Sequence, residues 1–90
     1  MLTLATTTKF RKDYKRMQKR GCDMAQLQIV IDTLLRQEPL EEKHKNHKLT
    51  GDYEGFWECH VEPDWLFIYL IDGTKLILTA TRTGTHADLF

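Results

Sequence analysis

Residues 58–65 place a histidine, a carboxylate and an indole beside a proline corner. His60, Asp64 and Trp65 fall close together there, and Pro63 separates two runs of strand-forming residues. A loop held between two strands is a common place for functional side chains. Because imidazole titrates near neutral pH, His60 can take or give a proton in a reaction at that pH. The pattern therefore points first to acid–base catalysis.

The hairpin that follows this loop predicts which side chains join it. Asp72-Gly73 is typical of a two-residue type I′ turn. Such a turn would bring Arg82 opposite Pro63, and His86 follows only four residues later. We therefore expect one end of the sheet to collect His60, Asp64, Trp65 and Arg82.

This set of side chains suits metal-independent cleavage of single-stranded RNA. A base would take the proton of the ribose 2′-OH, an acid would protonate the departing 5′-oxygen, and Arg82 would contact the charged phosphate. The product would be a 2′,3′-cyclic phosphate. Trp65 and Phe90 offer faces to an unstacked base, and a basic segment supplies Lys45 and Lys48 as further RNA-binding candidates.

Each of these residues also has a structural explanation. Asp64 can close the turn after Pro63, and Trp65 can belong to the core. Arg82 can pair with Glu62 or Asp64, and Phe90 can anchor the chain end. A zinc site built from the histidines, Asp64 and Cys59 is a further alternative, but no helical HxxxH spacing is present. We therefore expect no metal and no cofactor.

The composition is that of a small folded protein. The 90 residues are 41% apolar and 29% charged with zero net charge, which predicts a single domain over residues 1–90. Basic residues nevertheless concentrate in residues 9–20 and 43–48, which is compatible with a local polyanion site. No apolar run has the length of a signal peptide core or a membrane span, and Cys22 and Cys59 form no CxxC pair. We expect a cytoplasmic protein without a membrane partner.

Hydrophobic spacing predicts the elements that must position the loop. Asp23 is a candidate helix cap, and Pro39 ends the helix that it begins. The prediction is a strand over 2–5, helices over 8–20 and 24–36, a loop over 40–51, and strands over 53–60, 65–71 and 75–83. This β-α-α-β-β-β order predicts an α+β fold in which an antiparallel sheet carries the N-terminal helix pair on one face.

The chain also resembles the YafQ-type mRNA interferase toxins of the RelE/ParE superfamily of type II toxin–antitoxin systems. The resemblance spans nearly the whole chain and is carried by residues 45–51, 58–65 and 82–90. It departs from the family pattern at Lys48, where proline is frequent, and at Trp57, where a basic residue is frequent. It implies a microbial RNase (RelE-like) fold and a ribosome-dependent endoribonuclease that cuts translated mRNA. The implied partner is a DinJ/RelB-like antitoxin.

The resemblance also implies roles for individual residues. The positions that act in the family are matched here by His47, His60, Asp64, Trp65, Arg82, His86 and Phe90. The family favours His86 as the general acid and Arg82 as the phosphate contact. The base, orienting and substrate-binding roles stay divided among His47, His60 and Asp64.

A second hypothesis belongs to another functional class. The chain would be a non-catalytic RelE/ParE-like binding module that acts on the ribosome or on a protein target such as gyrase. The histidine-rich loop favours the nuclease, since a binding module does not need acid–base residues. Replacing the scissile 2′-OH by hydrogen separates the two hypotheses, because cleavage would stop while binding would persist.

Overall fold

The computed structural model describes residues 1–90, which form one five-stranded sheet with helices on both faces. In chain order the strands are β1 Thr3–Thr6, β2 His47–Lys48, β3 Trp57–Glu62, β4 Trp65–Asp72 and β5 Ile77–Gly84. Their order in the sheet is β1-β5-β4-β3-β2. The predicted α+β class is confirmed. The sheet is not wholly antiparallel, however, because β1 pairs in parallel with β5.

Three helices complete the fold: α1 Thr8–Lys19, α2 Met24–Leu35 and α3 His86–Leu89. The Thr7 hydroxyl accepts the Phe10 N–H at the start of α1, and the Asp23 carboxylate accepts the Ala25 N–H at the start of α2. These caps satisfy backbone donors that the first helical turn leaves unpaired. The predicted 40–51 loop also contains β2 and a 3₁₀ turn at Glu42–His44. None of the helices is long and apolar enough to cross a membrane.

The larger core lies on the face of the sheet that α1 and α2 cover. Phe10 and Met17 from α1 and Leu27 from α2 are buried there against Phe67 and Leu78 of the sheet. The prediction of a helix pair on one face is confirmed. Burying these side chains removes apolar area from water, which is the main force that holds the helices on the sheet.

A smaller core lies on the opposite face. Leu66 and Ile68 of β4 pack there against Leu89 of α3, with Tyr53 and Phe56 at its margin. Neither α1 nor α2 contributes to this core. Outside this core the same face carries polar side chains. We call this whole face of the sheet, opposite α1 and α2, the site face.

The hairpin between β4 and β5 differs from the predicted type I′ turn. Asp72 pairs with Ile77, so four residues form the connection. The Asp72 carboxylate accepts the N–H groups of Thr74 and Lys75, both at 3.0 Å. This side-chain bonding stabilises a longer turn than the Asp-Gly pair alone predicts.

A bulge then changes the register of β5. Ala80 pairs with Tyr69, but Arg82 pairs with Ile68, which leaves Thr81 without a partner across the ladder. The predicted position of Arg82 opposite Pro63 was wrong. Because side chains alternate between faces along a strand, the extra residue moves Arg82 onto the site face.

Candidate active site

The site face carries polar side chains from β2, β3 and β5, and β4 lies between β3 and β5. Glu58 pairs with Ile68, and Ile68 pairs with Arg82, while His47 on the edge strand pairs with Glu58. Directly paired residues point to the same face of a sheet. His47, Glu58 and Arg82 therefore lie on the same face as the Ile68 side chain.

His60 lies in the next row across the sheet. It pairs with Leu66, and Leu66 pairs with Gly84. A Cβ atom on Gly84 would lie 3.0 Å from the Cβ of Asp88, and Gly84 has φ +154°. The glycine therefore allows α3 to approach the sheet closely, and α3 begins with His86.

Asp64 holds His86 at the start of α3. One oxygen of the Asp64 carboxylate, Oδ1, lies 2.6 Å from Nδ1 of His86 and also accepts the His86 backbone N–H at 3.1 Å. These hydrogen bonds lower the pKa of Asp64, so the group is a carboxylate at neutral pH. With Nδ1 donating to Asp64, the Nε2 atom of His86 is the nitrogen left for a ligand.

His60 approaches His86 from the β3 side. The two ring centroids are 5.9 Å apart with the rings edge to face. Nδ1 of His60 lies 3.2 Å from the Pro63 carbonyl, which assigns the proton of the neutral ring to Nδ1. Nε2 of His60 then carries the lone pair. The structure therefore brings together His60, Asp64 and His86, as the sequence predicted.

Arg82 is held by a residue that the sequence analysis did not identify. Its Nε and Nη2 atoms donate to the Asp13 carboxylate at 2.6 and 3.2 Å, and this bonding raises the pKa of Arg82. The alternative explanation of Arg82 as a partner of Glu62 or Asp64 is not found, because its ion-pair partner is Asp13. Asp13 also accepts from Arg16 and from the Thr83 N–H. One feature of the sequence could have identified Asp13, since it is the single acidic residue among the basic residues of α1.

His47 and Glu58 form the other side of the site face. Nδ1 of His47 lies 2.7 Å from the Lys45 carbonyl, and its Nε2 lies 3.4 Å from Glu58 Oε1. Glu58 is a buried acidic residue, and the sequence analysis did not select it. Phe90 is 66% exposed and meets Tyr53 edge to face at 6.0 Å. Its ring can therefore accept a stacked base.

Two candidate RNA contacts do not reach this face. Trp65 is only 3% exposed, and its indole N–H donates to the Thr83 hydroxyl at 2.9 Å within the larger core. Lys48 pairs with Trp57, and its Nζ lies 5.6 Å from the Trp57 ring centroid. Since Lys48 follows His47 directly in a strand, it points to the opposite face. The expected placement of Trp65 at this site was wrong because the ring is buried, and Lys48 lies on the other face of the sheet, where its role in RNA binding stays a prediction.

No three His, Cys, Asp or Glu side chains are arranged to hold a metal ion. Cys59 is buried, and desolvation raises the pKa of its thiol to about 12. The thiolate is the reactive form of cysteine, so Cys59 is an inert core residue at neutral pH.

The site offers three groups to a substrate: Nε2 of His60, Nε2 of His86 and the guanidinium of Arg82. A proton acceptor, a proton donor and a cation on one face suit displacement at a phosphodiester.

Asp88 fastens α3 to α1 and so supports His86. Its two carboxylate oxygens accept from Arg20 at 2.6 and 3.0 Å, and one of them accepts the Thr85 N–H at 2.9 Å. These hydrogen bonds lower the pKa of Asp88 below the ordinary carboxyl range. The ion pair therefore stabilises the fold above about pH 4, and this contribution is lost as the pH falls through the lowered pKa.

We expect Asp88→Asn to lower the free energy of unfolding at pH 7 by about 1 kcal/mol, because Arg20 is partly exposed to solvent. The difference from the native chain should shrink as the pH falls below 4. Thermal unfolding followed by circular dichroism between pH 7 and pH 2.5 measures it. A difference that stays constant over this range would contradict the ionic origin of the effect.

Comparison with known proteins places the chain beside bacterial toxins. The model of the family described as "Bacterial toxin of type II toxin-antitoxin system, YafQ" matches residues 2–90. The mRNA interferase toxin YafQ of Escherichia coli K12 is 43% identical over 82 residues, which are 90% of this chain and 87% of the relative.

Solved structures of relatives share the fold. The crystal structure of YafQ from E. coli BL21(DE3) has a TM-score of 0.92 and 36% identity, over 100% of this chain and 99% of that one. The toxin-like chain in the crystal structure of the E. coli DinJ-YafQ toxin-antitoxin complex has a TM-score of 0.89 and 38% identity, over 99% and 97% of the two chains.

Proposed function

The chain belongs to the YafQ family of bacterial toxins from type II toxin–antitoxin systems, and from this membership we propose that it is an endoribonuclease that cleaves mRNA. The observation that carries the proposal is the pair of imidazoles on the site face, 5.9 Å apart, one of which is fixed by a carboxylate. Two such groups serve as the acid and the base of a phosphodiester transfer.

In the proposed reaction the ribose 2′-OH attacks the neighbouring phosphorus. His60 takes the 2′-OH proton at Nε2 as the O–P bond forms. His86 gives its Nε2 proton to the 5′-oxygen as the bond from that oxygen to phosphorus breaks. The products are a 2′,3′-cyclic phosphate and a 5′-hydroxyl end. Asp64 acts through His86 as a positioning residue, since it holds Nδ1 and so directs Nε2 to the leaving oxygen.

Arg82 would stabilise the charge that develops on the phosphate. Its Nε and Nη2 atoms donate to Asp13, and Nη1, which does not, would bind a phosphate oxygen. A guanidinium held in place before the substrate binds needs little reorganisation in the transition state. Phe90, which is exposed at the chain end, would stack against a base of the message.

The proposed substrate is mRNA on the ribosome, and the proposed partner is a DinJ-like antitoxin. α1 carries basic side chains on its exposed face, which suits contact with ribosomal RNA. The E. coli relative is found in a complex with DinJ. An acidic segment of the corresponding antitoxin would bind the basic surface of this chain and block access to the site.

Cleavage of ribosome-bound mRNA tests the proposal. We expect translating ribosomes mixed with the protein to yield new mRNA 5′ ends and 2′,3′-cyclic phosphate termini, with or without a chelator that removes transition metals but spares the magnesium of the ribosome. A message with 2′-deoxyribose at the cut position should bind but stay intact. Intact native message at near-stoichiometric protein would contradict the proposal. It would instead favour the binding-module hypothesis, which requires no chemical step.

A further inference from the structure

A cavity of ≈490 Å³ lies beside His60, and no residue of α3 lines it. Its lining includes Lys43 and Lys45, Glu62 and Pro63, and Gln26 of α2. The volume is within the range of about 300–1,000 Å³ that is typical of ligand sites. His60 thus borders both the ring of His86 and this cavity.

The segment that carries the two lysines is fixed to β3. His44, which is buried, places its Nδ1 2.6 Å from the His60 carbonyl. The Lys45 carbonyl lies 2.7 Å from Nδ1 of His47. Lys45 itself has φ +46°, a left-handed conformation that costs energy in a residue with a Cβ atom. The lysines therefore stand beside His60 on a held segment, so binding an anion there needs little loop ordering.

The lysines are available to an anion. Lys45 forms no ion pair, and Lys43 lies 3.6 Å from Glu41 in a pair whose members are both largely exposed. Such exposed pairs are weak and screened by salt. Glu62 is the one carboxylate in the cavity wall, so the two ammonium groups leave an excess of positive charge.

We propose that this cavity binds the mRNA nucleotide that carries the attacking 2′-OH, with its own 5′-phosphate between Lys43 and Lys45. The inference rests on the proposed function. If His86 protonates the leaving 5′-oxygen, the downstream nucleotide lies on the α3 side. The attacking ribose then contacts His60, and the chain upstream of it continues past His60 into the cavity. The base would lie against Pro63, within reach of the Gln26 amide.

A thermodynamic cycle between protein and message tests this subsite. One partner is the Lys43→Gln/Lys45→Gln variant. The other is a ribosome-bound message in which a neutral methylphosphonate replaces the phosphate on the 5′ side of the attacking nucleotide. The measured quantity is the toxin concentration that gives half-maximal cleavage rate. The cycle separates contacts with the message from contacts with the ribosome, because only the message linkage is altered.

We expect the neutral linkage to raise the half-maximal concentration about tenfold for the native protein, the loss of one charge-assisted contact. The variant should show a similar loss on the native message and less than about a twofold further loss on the neutral one. The slope of log affinity against log salt should fall by about 0.7 for the native protein on the neutral linkage. The maximal cleavage rate should change little.

Lys9→Gln/Lys12→Gln on α1 is the matched control, because it removes the same charge away from the cavity. Its effect should add to that of the neutral linkage. If the Lys43→Gln/Lys45→Gln variant loses as much on the neutral message as on the native one, its effect and that of the neutral linkage are additive. This result would overturn the subsite, since it would mean that Lys43 and Lys45 contact the ribosome and not this phosphate of the message. If the native protein leaves all messages intact, the proposed function itself fails. If the native protein cleaves the message but the two effects are additive, only the subsite is rejected and the proposed function stands.

Discussion

His86→Ala should lower the rate constant of mRNA cleavage by about 10²- to 10⁴-fold, the usual contribution of a general acid. The side chain is 57% exposed, so its removal should change the free energy of unfolding by no more than about 0.5 kcal/mol. The expected result is a folded protein that binds its message and cleaves it very slowly. Single-turnover cleavage on programmed ribosomes and thermal unfolding measure the two quantities.

A message with sulfur in place of the scissile 5′-oxygen identifies the role of His86. A thiolate leaves without protonation, because a thiol has a pKa of about 8.5, far below that of an alcohol. The His86→Ala variant should therefore cleave this message at nearly the native rate. Asp64→Asn should also be rescued, since Asp64 acts through His86, whereas His60→Ala should not. Native toxicity in the folded His86→Ala variant would remove this residue from the mechanism.

Asp13→Asn should produce the largest loss of stability. The Asp13 carboxylate is 1% exposed and bonds two arginines and a backbone N–H. Removing one partner of a buried ion pair costs about 3–5 kcal/mol, because the other charge is left unpaired. Arg82 is 17% exposed and Arg16 more so, which favours the lower end of that range. For a domain of this size, about 3 kcal/mol lowers Tm by at least roughly 12 °C.

Two comparisons separate the ion pair from general damage. Arg16→Gln removes only the exposed partner of Asp13 and should cost less than about 1 kcal/mol. The double variant Asp13→Leu/Arg82→Met replaces the buried carboxylate and its partly exposed partner by apolar groups and should regain most of the stability. It should not regain cleavage, because Arg82 is the proposed phosphate contact. A native Tm for Asp13→Asn would show that this carboxylate does not hold β5 against α1.

The imidazole site illustrates how far local reasoning reaches. His60 lies near the end of β3 and Asp64 follows that strand, so their proximity was readable from a short stretch of chain. His86 joined them because it follows Arg82 of β5 by only four residues. The register used for that argument was nevertheless wrong, since the Asp72 carboxylate supports a four-residue connection. The convergence survived because a shift of a few residues still leaves His86 at the same end of the sheet.

Arg82 and Trp65 illustrate where local reasoning ends. The bulge at Thr81 reverses which face Arg82 occupies, and no local pattern marks it. The partner of Arg82 is 69 residues away in α1. The indole ring of Trp65 could stack on a base, but the side chain is buried in the larger core. Its burial depends on α1 and α2, which come from a distant part of the chain. The partner of Arg82 and the burial of Trp65 both depend on how the helices pack against the sheet.

The sequence by itself determined the helices, the strands and the chemical types available to the site, because apolar periodicity and capping residues act over a few positions. It also determined the family to which these segments belong. Only the tertiary structure decided the parallel pairing of β1 with β5, the face that Arg82 occupies and its bond to Asp13. Those features join segments far apart in the chain, and a buried charge can choose its partner only after the packing of the chain has excluded water around it.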